Sequence, residues 1–484
     1  MKGKKSLGVN AMLNGLRTAI DLLFPLVTFP YATRTLSVDN VGAFGFSASV
    51  IGYFIMLSAL GVTAYAIREG SKIRDDRQKL DAFASEVFTI NMASTLASYL
   101  LLAVCLYFVP TLRHYSLLIG VLSIQIFFAT IGTEWVYSIF EEYAYITVRS
   151  IVFKLISVAM LFAFVRSEAD TLIYAGISVF AAAGSNLLNF FYARRFCTIR
   201  LVRKADWKQH LGPIMVIFSS TVAISIYTCS DSTMLGFMCG EREVGVYAVS
   251  SKIYGLAKTM LSAVLIVSVP KLSMQLGKGL AEDYRRTLSK VVCAVSLLLF
   301  PAVAGLYVLA EECILLLSDA TYLEAASSLR LLSIALIFCL AGWIANDCVL
   351  IPARKEKVVL IATLASAVLN IALNFALIPS LKVDAVGWST IAAEALVMCI
   401  SLSSARKVAG LCRWVATDAV SMFAGCALVF FLCRWIKGLG HGPAVTVALC
   451  LAVCGAAYTL VLLLGRNTLA LEGIKKVRSR FSGA

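Results

Sequence analysis

The chain has 484 residues, 60% of them hydrophobic and only 15% charged, with a mean hydropathy of +0.85 and a formal net charge of +15. Soluble domains hold about 45–50% apolar residues, so a string of soluble domains is excluded. The basic excess lies in short segments beside apolar stretches, which is the topology bias of membrane proteins rather than a nucleic-acid-binding face.

A spanning helix needs about 20 apolar residues, and fourteen such stretches fill the chain. In the first half they are Val9–Thr33, Val41–Thr63, Phe83–Phe108, Tyr115–Tyr137, Ile146–Val165 and Thr171–Tyr192. In the second half they are Gly212–Phe237, Val244–Val269, Val291–Ala310, Ala325–Leu350, Val358–Ile378 and Ala385–Ser404, followed by Trp414–Trp435 and Pro443–Leu464. Met1 to Lys5 is basic, but Pro25, Pro30 and Arg34 follow without a small-residue cleavage site. The first stretch therefore reads as a retained helix rather than a removed signal.

Of the 43 Lys and Arg residues, 30 lie in alternate connections on one side, seven lie on the other, and six lie within spans. That asymmetry places both termini in the cytoplasm and requires an even number of spans. Only the loop between Tyr137 and Ile146, with Glu141 and Glu142, departs from it.

An internal repeat is legible. Val41-Gly42-Ala43-Phe44 recurs as Val244-Gly245-Val246-Tyr247, with Ser47 matching Ser250 and Gly52 matching Gly255. Gly176 matches Gly387, and Ala193-Arg194-Arg195 matches Ala405-Arg406-Lys407. The expected fold is an all-α membrane protein with 14 transmembrane helices. Two pseudo-symmetric six-helix lobes, 1–208 and 209–410, precede two additional helices in 411–465 and a basic tail, 466–484. Six spans per copy is even, so the pseudo-twofold axis should run along the membrane normal, as in parallel-repeat transporters.

Ionisable groups within spans are costly and mark cavities or partners. The first span carries Asn14, Arg17, Asp21, Pro25, Thr28, Pro30 and Arg34, with Arg17 and Asp21 four apart on one face. The seventh carries Ser219, Ser220, Thr221, Ser225, Tyr227, Thr228, Ser230 and Asp231. These two spans correspond in the repeat and are expected to line a central, water-accessible cleft. Interhelical hydrogen bonding in a dry bundle is the competing reading. Arg149 and Lys154 in the fifth span, with Lys252 and Lys258 in the eighth, add cations, and a Lys252–Asp231 pair is expected. Asp21, Glu86, Glu134, Asp231, Asp347, Glu394 and Asp418 are the acids that could match them. A cationic surplus would suit an anionic ligand such as a phosphate.

Catalytic signals are missing. The chain has no GxxxxGK[ST] nucleotide motif, and its longest outer segment, Ala310–Ala325, is too short for a catalytic domain. The three histidines, His114, His210 and His441, read as interfacial residues near span ends. The 14 cysteines form no CxxC pair and no metal spacing with them, and most read as small hydrophobes. No metal and no cofactor are expected. The connectors Arg68–Asp81 and Lys271–Arg286 read as solvated cytoplasmic helices.

Several stretches resemble Wzx-type polysaccharide (O-unit) flippases. They are Phe24-Pro25-Leu26-Val27-Thr28-Phe29-Pro30-Tyr31, Arg34-Thr35-Leu36, Val41-Gly42 with Phe44, and Leu60-Gly61-Val62 with Ile67-Arg68-Glu69-Gly70. Glu134-Trp135, Glu142-Tyr143, Tyr145-Ile146-Thr147, Arg149-Ser150, Asp231 to Gly236, Val244 to Tyr247 and Lys252-Ile253 continue the likeness, over about residues 7–410. The resemblance implies the superfamily of MATE exporters and the lipid II flippase. It also implies alternating access and transfer of a polyprenyl-diphosphate-linked oligosaccharide across a bacterial cytoplasmic membrane for surface polysaccharide assembly. Arg34, Arg149, Asp231 and Lys252 are the charged positions that match. The expected substrate-binding residues are Arg17, Arg34, Arg149, Lys154, Lys252 and Lys258. Asp21 and Asp231 are the expected coupling residues for a proton or sodium gradient. Membrane lipids and other polysaccharide-assembly proteins are the further expected partners. The alternatives are an ion-coupled drug or metabolite exporter, which calls for twelve spans and an acidic cleft, and a membrane-bound glycan polymerase or ligase, which needs a sizeable catalytic loop. A non-transporting scaffold would not need the polar residues of spans one and seven.

Overall fold

A computed structural model describes residues 7–203, 206–409, 416–468 and 470–471. The side chain of Arg17 and the basic tail beyond 471 lie outside the described residues. Fourteen long helices follow one another, and no strand occurs among the described residues. In order they are α1 (Leu7–Thr35), α2 (Val38–Gly70), α3 (Arg77–Phe108), α4 (Ser116–Ile139), α5 (Tyr143–Phe164), α6 (Glu168–Ala193) and α7 (Trp207–Met238). The second seven are α8 (Glu241–Gly277), α9 (Ala281–Val308), α10 (Ala325–Leu350), α11 (Glu356–Leu381), α12 (Val383–Ala409), α13 (Ala416–Lys437) and α14 (Pro443–Leu464). Among the described residues thirteen helices, α2 to α14, are long and apolar enough to cross a membrane. Helix α1 is as long, at 29 residues. Helices suit this solvent because they satisfy every backbone group internally.

Local chemistry sets the breaks and starts. Ser37 caps α2 through Asn40 N at 3.3 Å, and Asp76 caps α3 through Lys79 N at 3.1 Å. Helix α2 is interrupted at Leu60-Gly61, both left-handed (φ 46° and 73°). Gly61 tolerates that conformation without a Cβ penalty, and a side chain there would press on Ile217 of α7. Helix α10 ends in a π-helical segment, Ile344–Leu350, a feature often found at functional sites.

The contacts divide the chain into two units, Met1–Gly245 and Val246–Ala484. Helix α7 thus groups with the first unit. On the Lys/Arg-rich side of that unit, Val62, Tyr65, Leu80, Val87, Trp135, Tyr137 and Ile146 form one buried cluster. The connector after α6 runs along α3. Thr198 N bonds Asp81 at 2.7 Å, Arg200 N bonds Ser85 Oγ at 3.2 Å, and Val202 N bonds Thr89 Oγ1 at 3.0 Å. Gly42 and Gly245, the glycines of the repeated Val-Gly pair, lie in close approach at the other end of α2. A Cβ on Gly42 would overlap the Glu241 carbonyl, and one on Gly245 would overlap the Val38 carbonyl. The match is reciprocal, since each glycine faces the carbonyl four residues before the other.

In the second unit, Leu261, Leu265, Leu288, Val295, Leu336 and Leu340 make the central core. The additional helices α13 and α14 dock on α9 through Ala304, Leu309, Met422, Val429, Cys433 and Tyr458. Tyr458 closes that joint by donating to the Leu297 carbonyl at 3.0 Å, with its ring against Gly425.

Candidate functional site: charged residues within the spans

Among the described residues, Lys154, Arg149 and Lys258 each have a carboxylate. In the first unit α1 meets α5. The Lys154 ammonium pairs with Asp21 and lies 5.8 Å from the centre of the Phe24 ring. One end of the same two helices is fixed by Tyr31, whose hydroxyl donates to the Val165 carbonyl at 2.7 Å and whose ring meets Phe162 edge-on. The Lys154 and Asp21 side chains are 17% and 44% exposed, so this pair is open on one side.

Arg149 has a different setting. Its side chain is only 6% exposed, bonded to Glu134 at 3.1 Å, with its guanidinium 5.7 Å from the Tyr145 ring centre. Tyr145 stacks on Tyr192 at 3.9 Å, and Tyr137, Phe196 and Arg195 complete the box. Arg149 Nε and Nη1 have no hydrogen-bond partner. Glu134 is 41% exposed and keeps its solvation without the arginine, but truncating the buried Arg149 side chain empties the aromatic box, so Arg149→Ala is expected to lower the amount of folded protein. Membrane-fraction abundance measures this, and unchanged abundance would contradict the buried setting.

In the second unit Lys258 lies 3.4 Å from Glu394 of α12, 4.7 Å from the Trp343 ring centre and 5.6 Å from that of Tyr254. Glu394 is 4% exposed. Trp343 is the last residue before the π segment, and within and beside that region Asn346 Oδ1 and Thr390 Oγ1 are buried without partners. Such atoms usually mark water, strain or a functional role.

The remaining expected residues are placed as follows. Arg34 is exposed at the end of α1, Asp231 is buried on α7, and Lys252 is half-buried on α8 in the second unit. Among the eight expected positions, the structure brings Asp21 and Lys154 together. The expected cationic surplus is smaller than the sequence indicates, because Asp21, Glu134 and Glu394 each take one cation.

Four of the α7 hydroxyls are occupied by their own helix. Ser219 donates to the Val216 carbonyl, Thr221 to Ile217, Thr228 to Ile224 and Thr233 to Cys229. Ser49 and Thr233, 2.9 Å apart, tie α2 to α7. Thr228 and Ser219 are nevertheless exposed, so α7 keeps a polar stripe on its open face.

Two features escape sequence reading. His210, in the first turn of α7, is 2% exposed, between Tyr65 Oη and Glu86 Oε2, both at 2.7 Å. This three-helix network joins α2, α3 and α7. In the second unit, Glu311 is bonded by Lys437 at 2.9 Å and by Arg330 at 2.6 Å. Those hydrogen bonds hold its carboxyl below the ordinary 4.5. With Arg434 these cations line a cavity of about 610 Å³.

Thirteen apolar helices with ionisable pairs held inside them define a multi-pass membrane protein of transporter architecture. Over 96% of its length the chain superposes on all of the lipid II flippase MurJ in an inward closed conformation, with a TM-score of 0.73 at 15% identity. An inward-facing multidrug resistance MATE transporter of the MOP superfamily matches over 81% of this chain and 97% of its own, with a TM-score of 0.61 at 14% identity. Residues 7–275 match the polysaccharide biosynthesis protein family, and the chain belongs to that family. Two relatives are called putative O-antigen transporters. One, from Escherichia coli (strain K12), is 24% identical over 284 residues, which is 56% of this chain and 66% of the relative. The other, from Shigella dysenteriae, is 22% identical over 383 residues, covering 76% and 92%.

Proposed function

We infer that this chain is a flippase, not an enzyme, and that it carries a polyprenyl-diphosphate-linked oligosaccharide across the bacterial cytoplasmic membrane. The family, the two O-antigen transporter relatives and the fold shared with a lipid II flippase support this reading. The observation that carries it at the level of residues is the half-open Lys154–Asp21 pair within the spans. A diphosphate offers oxygens that compete with a carboxylate for an ammonium, so Lys154 can exchange Asp21 for substrate. Arg17, Arg34, Lys252 and Lys258 are the further cations assigned to substrate, and Arg149 supports them from its buried box. Protonation or sodium binding at Asp21 or Asp231 would weaken their hold on neighbouring cations, which is how an ion gradient would drive the cycle.

In this reading the lobes 1–208 and 209–410 rock about a pseudo-twofold axis, and both termini face the cytoplasm. The lipid tail remains in the bilayer while the headgroup crosses. The test is reconstitution in vesicles with a fluorescently tagged lipid-linked oligosaccharide. Protein-dependent movement of the headgroup between leaflets is expected. Equal movement in protein-free vesicles and in those holding the chain would overturn the assignment.

A further inference from the structure

The sequence spacing of the cysteines gives no metal motif, yet folding gathers three of them. Cys433 of α13 and Cys450 and Cys454 of α14 have all their sulfurs within 4.8 Å of one another. They are 2%, 3% and 5% exposed, and Cys433 Sγ lies 3.6 Å from Cys454 Sγ. Cys450 and Cys454 are four apart, so they share one helical face, and Cys433 approaches that face from the neighbouring helix. Among the described residues this is the one such group of potential ligands. The three thiols line an apolar cavity of about 380 Å³ together with Cys313. No cystine ties the cluster, since all four are free thiols.

We propose that Cys433, Cys450 and Cys454 form a binding site for a soft d¹⁰ monovalent metal ion of the Cu(I) class. Thiolate sulfur selects soft ions over hard ones, and the three grouped ligand atoms are all sulfur, the Glu312 carboxylate lying near Cys450 but outside the group. Zinc is less suited, because it takes four ligands in a tetrahedron and the compact set holds three. Each thiol that binds releases its proton to water, and the metal charge offsets part of the new thiolate charge. No electron is transferred. Bound there, the ion would staple α13 to α14 at the joint where both dock on α9.

The test uses the full-length protein, purified reduced and without oxygen. It is loaded with Cu(I) and challenged with excess glutathione and a Cu(I)-selective chelator. One copper retained per chain is expected, with sulfur-only coordination by X-ray absorption. Cys433→Ser, Cys450→Ser and Cys454→Ser should each weaken retention roughly tenfold or more, since even outer partners of metal ligands cost 10–100-fold. Cys105→Ser and Cys399→Ser, at cysteines outside the cluster, should leave it unchanged. Copper lost to the chelator, oxygen or nitrogen ligands in the absorption spectrum, or retention indifferent to all three substitutions would each overturn the site. So would a Cys433–Cys454 disulfide trapped by alkylating intact cells. The spectrum of the unsubstituted protein decides the matter even where a serine variant fails to fold.

Discussion

Lys258→Met is expected to lower the stability of the detergent-solubilised protein by about 3–5 kcal/mol, because the substitution strands a buried carboxylate. Glu394 is 5% exposed in its side chain and Lys258 is 18% exposed, so water screens neither charge well. The lost ammonium also leaves the Trp343 face, a contact worth about 2 kcal/mol when desolvated. Glu394→Leu should cost a similar amount by stranding the ammonium. Combining Lys258→Met with Glu394→Leu should recover most of the loss, since a buried ion pair and an apolar pair of like volume are often nearly equal in stability. Thermal unfolding followed by size-exclusion chromatography reads all three variants. Additive losses in the double variant would show that the two side chains are not coupled. If the double variant is stable but inactive in the vesicle assay, Lys258 serves transport as well as packing.

Lys154→Ala is expected to reduce headgroup movement roughly tenfold to a hundredfold with little change in protein level. Hydrogen bonds to charged groups contribute about 1.5–3 kcal/mol, and each 1.4 kcal/mol is tenfold. In the cleft reading the open side of Asp21, 44% exposed, faces water, where such pairs contribute only about 0–1 kcal/mol to stability, so the abundance should hold. Exchanging the charges, Asp21→Lys with Lys154→Asp, separates two roles. A purely structural pair would be restored by the exchange. A cation that must meet substrate from α5 would not be, so the exchanged protein should remain slow. Full recovery of transport would remove Lys154 from the substrate path.

Much of the fold is legible in the chain because the bilayer is a demanding solvent. A stretch such as Val358–Ile378 has one way to satisfy its backbone in hydrocarbon, and it forms α11, Glu356–Leu381. The breaks were less legible. Nothing local marks the π segment after Trp343, which depends on packing against α12 and α11. The charged pairs were half legible. Glu134 and Glu394 stand out as acids in apolar surroundings, but Glu394 meets Lys258 across 136 residues, and only tertiary structure brings them together. The α7 hydroxyls are legible as a polar stripe but not in their bonding, since several donate to the preceding turn of their own helix, as Ser and Thr commonly do in such settings. The partners of His210 are not legible, because a position near a span end says nothing of Tyr65 and Glu86, which reach it from two other helices.

The π segment of α10 bears on how this chain tolerates change over generations. A π turn is an α-helix holding one surplus residue, and one residue corresponds to a rotation of about 100° in an α-helix. Losing a single codon between Ile344 and Leu350 would let that turn relax to ordinary pitch while Trp343 and everything before it stay in register. The same deletion a few turns earlier would swing the packed face of α10 away from α12. Length variation among descendants of this gene should therefore collect at Ile344–Leu350 and be purged from the rest of the helix.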